Sequence, residues 1–287
     1  MLDEDPFAHG SATEIWRGTW KGPPPAGTHS GWIAIKVIRT ASAPDRAEEL
    51  CRKLKREARL WASLKDPNIV PLLGVVFDMT PSNVPSLVSP YYKNGNLKSY
   101  MNQHRTELSS LEMLKMTYQF ASGLAYLHKV GVVHGDLKPD NVMIGDNREV
   151  VVSDFGLSLA LETAGFTTKN FYGSVRYTAP ELLGFAGVSG SGQFVPKTAN
   201  GDIWAFAITS TEIFSSKPPY HNLRTDSAVL VHVNKKGHLN REDYKREISE
   251  SLWSVFSRCW HYEPSQRPRM LEVKLFLINK VNKYRVR

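Results

Sequence analysis

The stretch VVHGDLKPDNVMI, Val132 to Ile144, places a carboxylate, an ammonium and a carboxamide at Asp136, Lys138 and Asn141, between a helix end and a short apolar run. At that spacing all three side chains can point into one cleft. Thirteen residues after Asn141, Asp154 follows an apolar run in VVVSDFG. Asn141 and Asp154 offer hard oxygen donors of the kind Mg²⁺ prefers, with substrate phosphates completing the octahedron. Upstream, Lys36 ends the run WIAIK and Glu57 lies in the helical pattern that follows. A strand lysine paired with a glutamate from a packed helix is an oriented positive charge suited to phosphate oxygens. Taken singly, each of these residues is equally explained by a surface salt bridge or a turn. That explanation fails for the ordered set of IAIK, a helical Glu, HGDLKPDN, SDFG and then APE at Ala179 to Glu181.

The elements that must position these groups are legible as periodicities. TEIWRGTW and GWIAIKVIR are rich in β-branched and aromatic residues and flank KGPPPAGTHSG, whose Pro and Gly make a turn, so a β-hairpin is predicted. In PDRAEELCRKLKREARLWASLK, Leu50, Leu54, Ala58, Trp61 and Leu64 recur at steps of three and four, one apolar stripe on a helix. NIVPLLGVVF and SLVSPYY return to strand character, giving the order β, β, β, α, β, β. From about Lys93 the pattern is helical. SSLEMLKMTYQFASGLAYLHKVG opens with Ser109 three residues before Glu112, a capping box, and ends at Gly131 in a C-cap position. NVMI and VVVSDFG pair as brief strands, and GFAGVSGSGQ is a loop. GDIWAFAITSTEIF is apolar on nearly every side and belongs in the centre of a helical lobe. No internal repeat or long linker divides the 287 residues, so one two-lobed domain is the economical reading.

Composition excludes several classes. An apolar share of 41% with 22% charged residues is that of a folded globular chain. Lys and Arg outnumber Asp and Glu by 36 to 28, a net charge of +8 and an isoelectric point of about 9.4. The bases are dispersed over solvated helix faces such as CRKLKREARL, and the tail KVNKYRVR holds one Tyr where a nucleic-acid surface needs interleaved stacking. Nucleic acid is therefore not an expected partner. Cys51 and Cys259 have no C-x-x-C neighbour, which argues against a disulfide framework or zinc site. With no apolar leader and no uncharged run of spanning length, the expectation is no membrane span and an intracellular, cytoplasmic setting.

The ordered motifs resemble the eukaryotic protein kinase family over essentially the whole chain. DLKPDN and GSVRYTAPE are of the serine/threonine type, while CW and RPRM near the C-terminus are similar to the tyrosine-kinase-like group. The resemblance implies an α+β, two-lobed fold: a small β-rich N-lobe with one main helix (about 1–89), a hinge (about 90–95) and a larger, mostly helical C-lobe (about 96–287). It implies transfer of the γ-phosphoryl group of ATP to Ser/Thr hydroxyls of a protein substrate, with ATP and Mg²⁺ as cofactors. On that resemblance Lys36 holds the α and β phosphates and pairs with Glu57. Asp136 accepts the proton of the substrate hydroxyl, Lys138 neutralises the transferring group, and Asn141 and Asp154 bind the metal. The nucleotide is expected against Gly10, Ile15, Ala34, Lys36, the backbones of Pro90 and Tyr92, and Met143. Ser89 aligns with the residue guarding the pocket behind the base, so bulky N6-substituted ATP analogues are expected to compete for binding; their complete exclusion would contradict this. Asp202 matches the aspartate that holds the loop backbone around Asp136, and Arg267 matches the arginine that pairs with Glu181.

Two departures stand out. The arginine usual before Asp136 is replaced by Gly135, which removes a partner for an activation-segment phosphate. Activity is then expected to depend little on phosphorylation of Thr163, Thr167, Thr168 or Tyr172, unless Lys169 or Arg176 takes over the pairing. In AHGSATEIWRG the three glycines of a G-x-G-x-x-G loop fall at Ala8, Gly10 and Thr13, so only Gly10 survives. If Thr13 must adopt a left-handed backbone, the cost is ~1–2 kcal/mol, about tenfold in affinity, and Thr13→Gly should tighten ATP binding. The alternative function is a pseudokinase that binds nucleotide weakly and acts as a scaffold or allosteric partner.

Overall fold

A computed structural model describes residues 2–9, 13–23, 31–38, 47–80, 84–155, 174–183 and 196–285. It divides into two compact units, Met1–Gly95 with Met143–Asn170, and Asn96–Val142 with Phe171–Arg287.

In the first unit the β-rich runs form strands β1 (Ala8–His9), β2 (Thr13–Thr19), β3 (Trp32–Ile38), β4 (Gly74–Val76) and β5 (Ser86–Pro90). They make one antiparallel sheet of order β1-β2-β3-β5-β4, which includes the expected β2–β3 hairpin. Period-two alternation sorts β3 into two faces. Ile33, Ile35 and Val37 pack with Val88 and Trp16 on one side. Ala34, Lys36 and Ile38 lie on the other, where Ile38 and Leu87 meet Leu50, Leu54 and Ala58 of helix α1 (Ala47–Ser63). The stripe read from the sequence is thus the face that α1 buries against the sheet. The same alternation leaves Lys36 beside that core with its ammonium still partly accessible.

Two further strands, β6 (Val142–Ile144) and β7 (Val150–Val152), pair as expected. Met143–Asn170 group with the first unit, so the compact units do not follow a single cut near residue 95. The cause is a set of non-local bonds around Asn68: its Nδ2 donates to the Val150 carbonyl (2.8 Å), and its own carbonyl accepts from Val152 N–H (2.8 Å). Val70 N–H adds a bond to the Val152 carbonyl at 3.0 Å. These bonds tie Asp154, two residues past β7, to the unit that carries Lys36.

The second unit is helical: α2 (Leu97–His104), α3 (Ser110–Lys129), α4 (Ala199–Ser215), α5 (Asp226–Asn234), α6 (Glu250–Cys259) and α7 (Met270–Arg285). The capping box on α3 is complete: Ser109 Oγ accepts from Glu112 N–H, and the Glu112 carboxylate accepts from Ser109 N–H at 2.9 Å. Gly131, at φ +77°, closes the helix in the left-handed conformation that glycine adopts without penalty. As its all-round apolarity implies, α4 is buried almost throughout, with the Phe206 ring tilted against Phe120 and edge-on to Phe256. Both cysteines are free, and burial pushes the Cys259 thiol up to about 12, so it is inert packing. Among the described residues no helix is long and apolar enough to cross a membrane. The loop read at GFAGVSGSGQ lies outside the described residues.

Candidate active site

In the second unit the Asp136 loop hangs from α4. Asp202, in the first turn of that helix and 2% exposed, accepts His134 N–H on Oδ2 and Gly135 N–H on Oδ1, both at 2.8 Å. His128 Nε2 lies 3.0 Å from Oδ2. This is the backbone-holding role expected of Asp202. Gly135 has φ +78°, so the residue that stands where an arginine is usual also relieves a backbone that a side chain would strain. His134 Nδ1 accepts from Asp136 N–H (3.2 Å), which fixes the next residue of the loop.

The Asp136 carboxylate is engaged on both oxygens. Lys138 Nζ donates to Oδ2 at 2.8 Å, and Asn141 Nδ2 donates to Oδ2 at 3.1 Å and to the Asp136 carbonyl at 2.7 Å. Oδ1 accepts from Ser174 Oγ at 3.0 Å, and Lys138 Nζ also reaches Ser174 Oγ at 3.2 Å. Charge-assisted bonds of this kind hold the carboxylate in one orientation. Asp136, Lys138 and Asn141 therefore come together as the spacing implies. Ser174 was not singled out from the sequence; the only signal was its place at the head of SVRYTAPE, and a lone serine carries little.

The turn bearing Ser174 is anchored beyond it. Tyr177 OH donates to Glu212 Oε2 at 2.7 Å; burial raises the Glu212 carboxyl pKa, and this hydrogen bond offsets part of the rise. Glu181 and Arg267 form the expected pair, bidentate at 2.6 and 2.8 Å.

The first unit carries Lys36 and Asp154. Lys36 Nζ is 2.8 Å from Asp154 Oδ1, and Asp154 takes a left-handed φ of +62° that Asp tolerates better than most residues. Phe155 packs edge-on against Trp61 of α1 with centroids 5.5 Å apart, and Trp61 Nε1 donates to the Val70 carbonyl at 2.6 Å. The expected Lys36–Glu57 pair is not formed among the described residues; the ammonium meets Asp154 instead. Burial raises the Glu57 carboxyl pKa, and only Arg56 opposes it, so the half-buried carboxylate lacks the countercharge that Lys36 would provide.

Register places the remaining positions. Ile15 pairs with Lys36, Ala34 with Ser89, and Pro90 with Ile33. Residues directly opposite share a face, so Ile15, Ala34, Lys36 and Ser89 line one side of the sheet. The Tyr92 side chain is buried against Val70 and Val151 with Met143 packed on that cluster, which leaves only its backbone to meet a ligand. Gly10 lies outside the described residues.

Thr13 corrects the loop reading. It is a strand residue, paired with Ile38 and 8% exposed, and it is not among the residues of positive φ. The left-handed strain argued from the glycine pattern does not exist. Thr13→Gly is instead expected to leave ATP affinity unchanged or weaker, and to destabilise the sheet by about 0.5–1 kcal/mol through added chain entropy. ATP titration and thermal unfolding of the variant check this, and a tightened affinity would restore the strained-loop account.

The donor chemistry at Asn141 and Asp154, one amide and one carboxylate oxygen donor, suits Mg²⁺. Among the described residues no three His, Cys, Asp or Glu side chains gather to hold a metal on their own.

A strand lysine bonded to the SDFG aspartate, an Asp136 loop hung from a buried helical aspartate, and an APE glutamate locked to Arg267 define a class. The chain belongs to the protein kinase family: residues 4–277 match the family described as protein tyrosine and serine/threonine kinase. Its fold is the α+β, two-lobed kinase fold, with an antiparallel sheet in one lobe and helices in the other. Among its relatives, the chain is similar to the serine/threonine/tyrosine-protein kinase HT1 of Arabidopsis thaliana, 29% identical over 267 residues, 91% of this chain and 62% of that protein. It is 26% identical to the serine/threonine-protein kinase STY17 of Arabidopsis thaliana over 271 residues, 94% of this chain and 43% of that one. It is 29% identical to ephrin type-A receptor 8 of Homo sapiens over 268 residues, 92% and 24% respectively. The chain thus spans between 24% and 62% of the length of these relatives.

Proposed function

We propose that the chain transfers the γ-phosphoryl group of ATP to Ser or Thr hydroxyls of protein substrates. The observation that carries this reading is the Asp136 carboxylate, held by Lys138 and Asn141 on one oxygen and by Ser174 on the other. An oriented carboxylate is the group needed to accept the proton of an attacking hydroxyl. Lys138, 2.8 Å from that carboxylate, supplies a positive charge for the phosphoryl oxygens as they pass. Lys36, on the sheet face shared with Ile15, Ala34 and Ser89, supplies a second cation for the nucleotide phosphates. Mg²⁺, held through Asn141 and Asp154, would neutralise phosphate charge when bound.

Serine/threonine choice rests on Lys138 and Pro139 in DLKPDN, positions that tyrosine kinases usually replace. The test is incubation with [γ-³²P]ATP and a mixed protein substrate, followed by phosphoamino-acid analysis. Label on Ser and Thr is expected. Label confined to Tyr overturns the specificity, and no label turns the chain into a pseudokinase.

Arg176, named as an alternative partner for an activation-segment phosphate, already spends four hydrogen bonds on Asp226, Pro219, Tyr220 and Leu223. Lys169 and the four candidate phosphorylation sites lie outside the described residues. Phosphatase-treated protein is therefore expected to keep at least half of its activity, and near-complete loss would contradict this. Two free cysteines fit the intracellular setting that belongs to the same reading.

A further inference from the structure

Arg176 sits in the turn that carries Ser174, yet it touches none of the groups around Asp136. Its Nε donates to Asp226 Oδ1 at 3.0 Å, Nη1 to the carbonyls of Pro219 (2.7 Å) and Tyr220 (3.2 Å), and Nη2 to the carbonyl of Leu223 (3.0 Å). A planar guanidinium can reach that fan of acceptors, whereas a lysine ammonium is a point charge with three donors on one atom.

The acceptors are fixed from their own side. Asp226 is the first residue of α5, where Thr225 Oγ1 caps Ala228 N–H at 3.1 Å and an acidic side chain is favoured by the helix dipole. Tyr220 has φ +54°, an uncommon backbone for an aromatic residue, with its carbonyl on Arg176. The strained segment and the guanidinium hold each other in place.

The turn itself is short and stiff. Tyr177 N–H (2.9 Å), Thr178 N–H (3.0 Å) and Thr178 Oγ1 (2.8 Å) all donate to the Ser174 carbonyl. Ser174 Oγ in turn donates to Asp136 Oδ1. A displacement at Arg176 is therefore passed to Ser174 and from there to the carboxylate.

We propose, on the phosphoryl-transfer reading above, that Arg176 is a positioning residue: with Asp226 it clamps the 174–178 turn to the 219–226 segment and so sets the orientation of Asp136. The claim concerns how well the carboxylate is aimed, so it bears on turnover more than on nucleotide binding.

The test compares the chain with Arg176→Ala, Arg176→Lys and Asp226→Asn in two measurements. Steady-state phosphoryl transfer at varied ATP and varied protein acceptor should show kcat lowered about 10- to 100-fold for Arg176→Ala, with the KM for ATP within about twofold of the parent, as an aiming defect requires. Arg176→Lys should recover only part of the loss, and Asp226→Asn should fall between the two. Amide hydrogen exchange read by mass spectrometry should quicken in both 174–178 and 134–141. An unchanged kcat, or a fall that only tracks the unfolded fraction at the assay temperature, overturns the proposal. So does faster exchange confined to 174–178. Should Arg176→Ala fail to fold, Asp226→Asn, which keeps the side-chain volume, decides by the same criteria. If the parent chain transfers no phosphoryl group, the functional reading fails, while the exchange measurement still decides whether Arg176 is coupled to the Asp136 loop.

Discussion

Asp136→Asn is expected to lower kcat about a thousandfold, within the range for losing a general base, while ATP affinity stays within about twofold. The substitution keeps shape and removes charge. A carboxamide oxygen can still accept from Lys138 and Asn141, which now donate to Oδ2, so the loop should keep its course. What is lost is the ability to take a proton, together with the anion that orients the Lys138 ammonium at 2.8 Å. The backbone bonds from His134 and Gly135 to Asp202 do not involve the substituted side chain and should persist. Single-turnover transfer from labelled ATP checks this, and a variant retaining more than a tenth of the parent rate would show that another group accepts the proton.

Arg267→Ala is expected to destabilise the protein by about 3–5 kcal/mol, as breaking one side of a buried pair does. The Arg267 side chain is fully buried and bonded to both oxygens of Glu181. It also donates to the carbonyls of His261 (2.9 Å) and Asn200 (2.8 Å), and its guanidinium carbon lies 5.1 Å from the Trp204 ring centroid. Truncation leaves a carboxylate without its countercharge and takes a donor from the carbonyls of His261, Asn200 and Tyr262, which adds a desolvation cost. A fall in the thermal midpoint of roughly 10 °C follows at a few degrees per kcal/mol. A shift under about 2 °C would mean that water replaces the guanidinium at little cost. Replacing Glu181 and Arg267 together by apolar residues should cost less than Arg267→Ala alone, because no unpaired charge remains.

What the sequence made legible was local or periodic. The α1 stripe, the Ser109–Glu112 capping box, the apolar α4 and the strand order all follow from side chains within a few residues of each other. Asp136, Lys138 and Asn141 come together because a short stretch of chain carries all three. The misreadings have a common physical origin in contacts between distant segments. Thr13 was aligned by glycine spacing, but strand pairing with Ile38 sets its backbone. Lys36 was expected to meet Glu57 from the next helix, yet its partner is Asp154, more than a hundred residues on. Asp154 can reach it because Asn68 and Val70 bind the β7 backbone, which also brings Met143–Asn170 into the first unit. Ser174 is invisible as a site residue and Arg176 reads only as an alternative phosphate partner for the same reason, since their partners Asp136 and Asp226 are 38 and 50 residues away. Gly135 was legible as a missing arginine, but its left-handed backbone was not, because composition does not report φ.

Using bound ATP, and not merely holding it, is what separates a kinase from a scaffold on the same fold. The most direct measurement is a Mg²⁺-dependent ATP titration of the full chain, run beside phosphoryl transfer to a protein substrate over the same ATP concentrations. Binding and transfer are expected to rise and saturate together and to be lost together on chelation of the metal. Saturable ATP binding with no transfer at any concentration would contradict the account and leave a nucleotide-binding scaffold on a kinase fold.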